Sequence, residues 1–507
     1  MTGPGALLHD LVDATARSRP DAPALSDGRH SMTYGELATR SRQLATALHL
    51  LGMRRGDRMV IALPTGVLVP ALAFAASRLG VAFSIVHEQV RGVPLEHVLD
   101  DCRPALLVSD DDGALRAARE RGLGGIAPME LNASADRTDP RRDDRTGPLT
   151  VDPVCLIYTS GTTSAPKAVV STHGQALFAL SAIQSVLRYQ PDDTVYCPLP
   201  LSFDYGLYQV FLGALSGAHV WLGGARESGP ALVSRLLECE ATVLPMVPSL
   251  GDSLAWLLRR TSGPRPPLRL LTNTGAAVSA VTLAALRETL PGARIHLMFG
   301  LTECKRATIM PADGDLDRPG SCGLPLPGTE VVACDENGDQ LPPGEIGELT
   351  VRGPNVMAGY WQRPDLTASR FPRRHGLFPE LRTGDYGWID TDGYVYFDGR
   401  RDDLYKQRGF RVSTTEVEAA ARRVPGVTGA VALPPDDAHP AELVVVTDLE
   451  PAQVLVQLRE QIEPAKIPPR CTVVAELPLN GNGKADRRAL TERIRPGHNR
   501  SRPDQSV

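Results

Sequence analysis

At 507 residues, with 42% hydrophobic and 22% charged residues, the chain has the balance of a soluble globular protein and exceeds what one hydrophobic core usually serves. A formal net charge of -5 excludes a global polybasic surface for nucleic acid or anionic membrane. The first twenty residues lack a basic segment followed by a long apolar core, and no stretch reaches the roughly 18 uninterrupted apolar residues of a membrane helix. The eight cysteines form no CxxC pair and no zinc-spaced cluster, as expected for scattered reduced thiols in a cytoplasmic protein.

In chain order, Tyr34–Leu51 places Leu37, Leu44, Ala45 and Leu48 at helical spacing, with Gly52 as a stop. Arg58–Leu63 reads as a buried strand, residues 66–79 as a helix, and Val81–Val86, Leu106–Val108 and Gly125–Met129 as further strands. Helix and strand in turn predict parallel α/β sheets with covered faces. Residues 133–150 are polar and punctuated by Gly and Pro, so a linker or surface loop is expected. A helix is expected over Tyr205–Leu215. From Thr329 the pattern becomes β-rich, with a hairpin about Thr391-Asp392-Gly393. After Asp398 strands and helices alternate in a unit of domain size. The expected organisation is a large N-terminal domain over 1–398, built of parallel α/β sheets plus a β-rich subdomain. A small α+β domain over 399–495 and a disordered tail over 496–507 follow.

Residues 157–170 carry the strongest local signal. Thr159, Ser160, Thr162 and Thr163 surround Gly161, and Lys167 follows Pro166. Hydroxyl and backbone N–H donors with an added ammonium suit a polyphosphate. A Ser/Thr-rich surface turn is the competing reading. A Walker loop is excluded, because Pro166 stands where its second glycine belongs and Ala168 follows the lysine.

This segment resembles the YTSGTTGxPKGV loop of the adenylate-forming superfamily, which comprises acyl-CoA synthetases, peptide-synthetase adenylation domains and luciferase. Ser164 and Ala168 replace two of its glycines. Phe299 to Glu303 is similar to the family's YGxTE segment and Arg382 to Gly387 to RTGDxG. Gly399 to Asp403 is similar to the GRxDD hinge, and Asn480 to Asp486 to the terminal NGKxD. The GEL…GY stretch at 344–360 completes an order that runs from residue 32 to about 490.

The resemblance implies ATP-dependent adenylation of a small-molecule acid, followed by transfer to a thiol on CoA or on the phosphopantetheine of a separate carrier protein. It implies a mobile C-terminal domain hinged at Asp402, and a free-standing enzyme, monomeric or homodimeric, without nucleic-acid or membrane partners. By the same resemblance Asp385 is the ribose ligand and Arg400 touches ribose or α-phosphate. Phe299 stacks on adenine beside Gly275, Ala276 and Gly300. Thr302 binds the α-phosphate, Glu303 holds Mg²⁺, and Lys484 bridges the acid and the α-phosphate during adenylation. The acid pocket falls, by register, on Asp204, Tyr205, Tyr208, Thr272, Thr274, Met298 and Arg306. An aspartate at the Asp204 position pairs with the amine in amino-acid-activating members.

Two alternatives stay open. Asp204 either caps its helix or lines the pocket, and Arg306 either pairs with Asp204 or meets a second anionic group on the substrate. The expected acid is an amino acid or small polar acid. An aryl or fatty acid, or an unusual oxyacid such as nitrite activated for attack by an amine, is the alternative.

Overall fold

The computed structural model describes residues 6–138, 147–159, 166–224, 229–374, 378–400, 404–407, 410–436, 438–462, 464–479 and 485–495. They fall into two compact units. One comprises residues up to Val331 together with Val351–Arg382, and the other Val332–Thr350 with Thr383 onward.

The first unit contains two sheets. One runs in the order Gly124–Ile126, Leu106–Ser109, Arg58–Ala62, Ala82–Ile85, Pro153–Thr159, Lys167–Thr172. Its pairs are parallel except the last, which is antiparallel and sets Thr159 opposite Lys167. The other takes Pro23–Ser26, His219–Leu222, Thr194–Cys197, Val243–Met246, Leu270–Asn273 and Arg294–Phe299 as parallel neighbours. Short antiparallel strands flank it, among them Thr308–Ile309 beside Arg294–Phe299. Parallel strands are covered on both faces, which is why the segments are short and apolar without clean alternation.

The expected helices form. Thr33 and Glu36 make a capping box, and the helix they open, Tyr34–Leu50, stops before Gly52 at φ +97°. The apolar run after Val67 is the Leu68–Leu79 helix, buried almost throughout. Pro70 is tolerated in its first turn, where N–H groups have no intrahelical acceptor.

Two sequence expectations are corrected. The 133–150 segment does not begin as a loop: a helix spans Pro128–Asp136 and ends inside it. Leu131 and Ala135 are buried there, and Arg40 holds Asn132 at 2.9 Å, so packing on a distant helix overrides local polarity. Gly125–Met129 is not one strand, since Pro128 already starts that helix.

In the second unit, Glu380–Ile389 pairs antiparallel with Val395–Arg400, with Asp385 opposite Arg400. Leu404–Gln407 and Phe410–Ser413 form a separate hairpin. Gly429–Leu433, Glu442–Val446 and Arg470–Val473 form a three-stranded sheet covering Val417, Ala421, Val454 and Leu458. Among the described residues no helix is long and apolar enough to cross a membrane.

Two histidines of the first unit make its stability acid-sensitive. Burial, then the nearby Arg78, lowers His9 from 6.5 to about 4. Burial, then His9, does the same to His173, whose Nδ1 accepts the Leu8 N–H at 3.1 Å. Both rings are neutral in the fold, whereas the unfolded chain takes up protons near pH 6.5. Stability is therefore full above that pH and is lost as pH falls toward 4, by up to about 3 kcal/mol for each ring. Urea unfolding at pH 7.5 and pH 5 should show this loss. His173→Asn, which keeps an acceptor for Leu8, should lessen it; an unchanged pH dependence would assign the loss to other groups.

Candidate active site

The site grows from one tight loop. The Arg294–Phe299 strand ends at Gly300, and the chain turns back so that Ala307 N–H donates to Phe299 O at 2.9 Å. A Cβ on Gly300 would lie 2.3 Å from the Lys305 carbonyl oxygen, so the turn admits only glycine. Lys305 sits at φ +63°, in the left-handed region that a lysine rarely occupies. Asn355, fully buried, donates from Nδ2 to Arg306 O at 3.0 Å and secures the loop's end. Glu303, Lys305 and Arg306 are thereby buried on a fixed backbone.

Asp204 opens the Asp204–Ser216 helix but does not cap it: Phe203 is the N-cap residue and makes no side-chain cap bond. The capping alternative is thus set aside. The carboxylate is 3% exposed in the first turn, where the helix dipole favours negative charge. Arg306 Nη1 lies 3.5 Å from Asp204 Oδ2, at the limit of a hydrogen bond, while donating to Lys305 O at 2.6 Å. The Arg306 guanidinium lies 4.6 Å from the Tyr205 ring centroid. Tyr205 has its hydroxyl 2.6 Å from Thr272 Oγ1, so it serves as a fixed platform.

Three polar groups around this pair have no hydrogen-bond partner among the described residues: Lys305 Nζ, Arg306 Nε and the Tyr208 hydroxyl. The Lys305 ammonium is fully buried, 5.5 Å from the Tyr208 ring centroid. Burial holds the Tyr208 phenol well above its ordinary pKa, so it remains a neutral donor. Unsatisfied buried groups of this kind are costly, and their concentration in one place makes this a candidate binding site. Thr274 and Met298 are buried at the ends of adjacent strands, Leu270–Asn273 and Arg294–Phe299.

A second cluster lies on the other side of the loop. Tyr360 donates to Glu303 Oε1 at 2.7 Å and accepts from Lys167 Nζ at 3.0 Å. The Arg370 guanidinium also reaches the Tyr360 phenol. The Thr159 hydroxyl, opposite Lys167, is buried without a hydrogen-bond partner among the described residues. Glu303 commits one oxygen to Tyr360, and a carboxylate retains further lone pairs. A hard carboxylate near a lysine ammonium suits magnesium bound together with a phosphate, since the ion takes one or two carboxylates and completes its shell with phosphate oxygens and water.

Thr302 lies half-buried beside Glu303. Gly275, at φ +95°, precedes Ala276, whose carbonyl accepts from Asn273 Nδ2 at 2.9 Å. Phe299 and Gly300 are half-buried at the end of the neighbouring strand. In the second unit Arg400 Nε meets Asp385 Oδ1 at 3.1 Å. Ser160, Gly161, Thr162, Thr163, the hinge Asp402 and Lys484 lie outside the described residues.

The sequence marked the Cys304-Lys305-Arg306 run as unusual beside Glu303 but gave Lys305 no role, and it gave none to Asn355 or Tyr360. The GY dipeptide was seen only as part of a motif. None of the eight cysteines forms a disulfide, and burial pushes Cys197 and Cys304 up to about 12, which keeps them as thiols.

A family profile described as AMP-binding enzyme matches residues 12–361. CymA of Salinispora arenicola, described as a probable nonribosomal peptide synthetase, is 32% identical over 95% of this chain, which spans 6% of that protein. A feruloyl-CoA synthase of Amycolatopsis sp is 30% identical, with 92% of this chain matching 95% of that enzyme. Among solved structures, VinN in complex with L-aspartate is 39% identical with a TM-score of 0.72, covering 78% of this chain and 99% of VinN. The chain therefore belongs to the AMP-binding, adenylate-forming family and is an AMP-forming ligase.

Proposed function

We propose that the chain adenylates a small amino acid bearing a second carboxylate, of the L-aspartate type, and transfers the acyl group to a phosphopantetheine thiol on CoA or a carrier protein. The observation that carries this reading is the buried Lys305 ammonium, which has no hydrogen-bond partner among the described residues, on the same loop as Arg306, whose guanidinium meets the buried Asp204 carboxylate. Asp204 already meets Arg306 Nη1 at 3.5 Å, the pairing alternative named above, so an amine on the substrate would have to compete with Arg306 for the carboxylate. An anionic group would complete Lys305, Arg306 Nε and the Tyr208 hydroxyl. A monocarboxylic aryl or fatty acid would leave these groups unsatisfied in a dry pocket. The L-aspartate complex of VinN supports the same class.

In the first step an oxygen of the activated carboxylate attacks the α-phosphorus of ATP, and the bond to pyrophosphate breaks. Lys167 and Thr159 bind phosphate oxygens, and Thr302 donates to the α-phosphate. Magnesium at Glu303 would neutralise phosphate charge. Lys484 is assigned to the approaching acid and phosphate oxygens, Phe299 to the adenine face, and Asp385 with Arg400 to ribose and α-phosphate. In the second step the thiolate attacks the acyl carbon and AMP leaves.

ATP–pyrophosphate exchange across L-aspartate, 3-methylaspartate, L-alanine, succinate, ferulate and a fatty acid tests the assignment. The amino dicarboxylic acids should be preferred. Asp204→Ala should lower their kcat/KM on the order of 10²-fold and spare succinate, which has no amine to lose. Preference of the wild type for ferulate or the fatty acid would refute the reading.

A further inference from the structure

Lys167 and Glu303 carry opposite charges only two hydrogen bonds apart, and a direct ion pair would disable both. It would occupy the donors that phosphate needs and the lone pairs that a metal needs. What separates them is the Tyr360 hydroxyl, which accepts from Lys167 Nζ at 3.0 Å and donates to Glu303 Oε1 at 2.7 Å. The ammonium also lies 4.1 Å from the Tyr360 ring centroid.

The segment carrying Tyr360 is fixed to both charged partners through its backbone. Val170 N–H donates to Gly359 O, and Trp361 N–H to Ala168 O, both at 2.9 Å. Met357 N–H donates to Glu303 O at 2.9 Å. Gln175 Nε2 donates to Val356 O at 2.8 Å, and the Tyr360 ring meets Phe371 edge-on at 5.4 Å. The phenol is therefore held by main chain on two sides and does not follow either charge.

We propose that Tyr360 is a positioning residue for the nucleotide half-reaction. Its neutral hydroxyl keeps Lys167 and Glu303 apart, so the ammonium stays available to phosphate and the carboxylate to magnesium. This rests on the assignment of those two residues made above. It adds that their availability depends on a third side chain that touches neither reacting atom.

Tyr360→Phe keeps the ring, its packing on Phe371 and the cation–π contact, and removes the spacer oxygen together with its contact to the Arg370 guanidinium. Lys167 and Glu303 should then close on one another. Calorimetric titration with a non-hydrolysable ATP analogue should show about tenfold weaker binding, with the magnesium midpoint displaced upward. The thermal midpoint should hold, and conversion of supplied acyl-AMP to thioester should be unchanged. Adding Glu303→Gln removes the charge that captures Lys167. Binding of the metal-free analogue should then recover relative to Tyr360→Phe alone. If Tyr360→Phe titrates as wild type, or if Glu303→Gln gives no recovery, the spacer role is wrong. If the wild type itself does not bind the nucleotide, the adenylation reading falls first, and the spacer with it.

Discussion

Replacing Lys305 by methionine is expected to stabilise the free enzyme while removing its substrate preference. Methionine matches the lysine stem in length, and it ends in an apolar group that the buried site accommodates without a counter-charge. The ammonium it replaces has no hydrogen-bond partner among the described residues. Exchanging a poorly compensated buried charge for an apolar group is worth about 1–4 kcal/mol in favour of the fold, so the urea midpoint should rise. The bound state moves the other way, because the substrate's second carboxylate would enter a pocket with one cation fewer. We expect kcat/KM for L-aspartate to fall about 10²- to 10³-fold, mainly through KM, while L-alanine gains relative to it. Greater stability with lower activity is the pattern of a site held strained for function. Unchanged aspartate kinetics in Lys305→Met would show that the ammonium does not face the substrate.

Gly300→Ala should damage both half-sites at once. The added methyl would meet the Lys305 carbonyl oxygen at 2.3 Å and Arg306 Cα at 2.9 Å. Both are backbone atoms, so no side-chain rotation relieves the clash. The loop must move, and it carries Glu303 on one side and Lys305 with Arg306 on the other. Displacements on the ångström scale at reacting groups cost about 10²-fold in rate, and overpacking costs about 1–3 kcal/mol in stability. Exchange activity with every acid should therefore fall at least that far, together with the urea midpoint. Gly292→Ala is the control, since a Cβ there meets nothing within 4 Å. Wild-type exchange in Gly300→Ala would mean that the loop is not the rigid clamp described here.

Much of the architecture was legible from local pattern. The helical spacing of Leu37, Leu44, Ala45 and Leu48, the stop at Gly52 and the hairpin about Thr391-Asp392-Gly393 depend on neighbours within a few residues. The helix over Pro128–Asp136 was not legible, because its support comes from Arg40 and from the burial of Leu131. The motifs placed Glu303 and Lys167 but gave no sign of the hydroxyl between them, since Tyr360 lies 57 and 193 residues away in the chain. For Asp204 the sequence left open a helix cap and a pocket residue. Only the backbone, which makes Phe203 the N-cap, sets the capping reading aside.

The sequence by itself determined the family, the alternation of strand and helix, and which residue types stand ready for phosphate, metal and amine. Those properties reside in short spacings, where side-chain period and backbone chemistry act directly. The tertiary structure alone decided which charges are buried and which of them find a partner. Lys305 is an ordinary lysine until the turn at Gly300, the Asp204–Ser216 helix and Asn355 close around it. The cost of a buried charge is set by what surrounds it in space, and those surroundings are assembled from segments on opposite sides of the loop, distant along the chain.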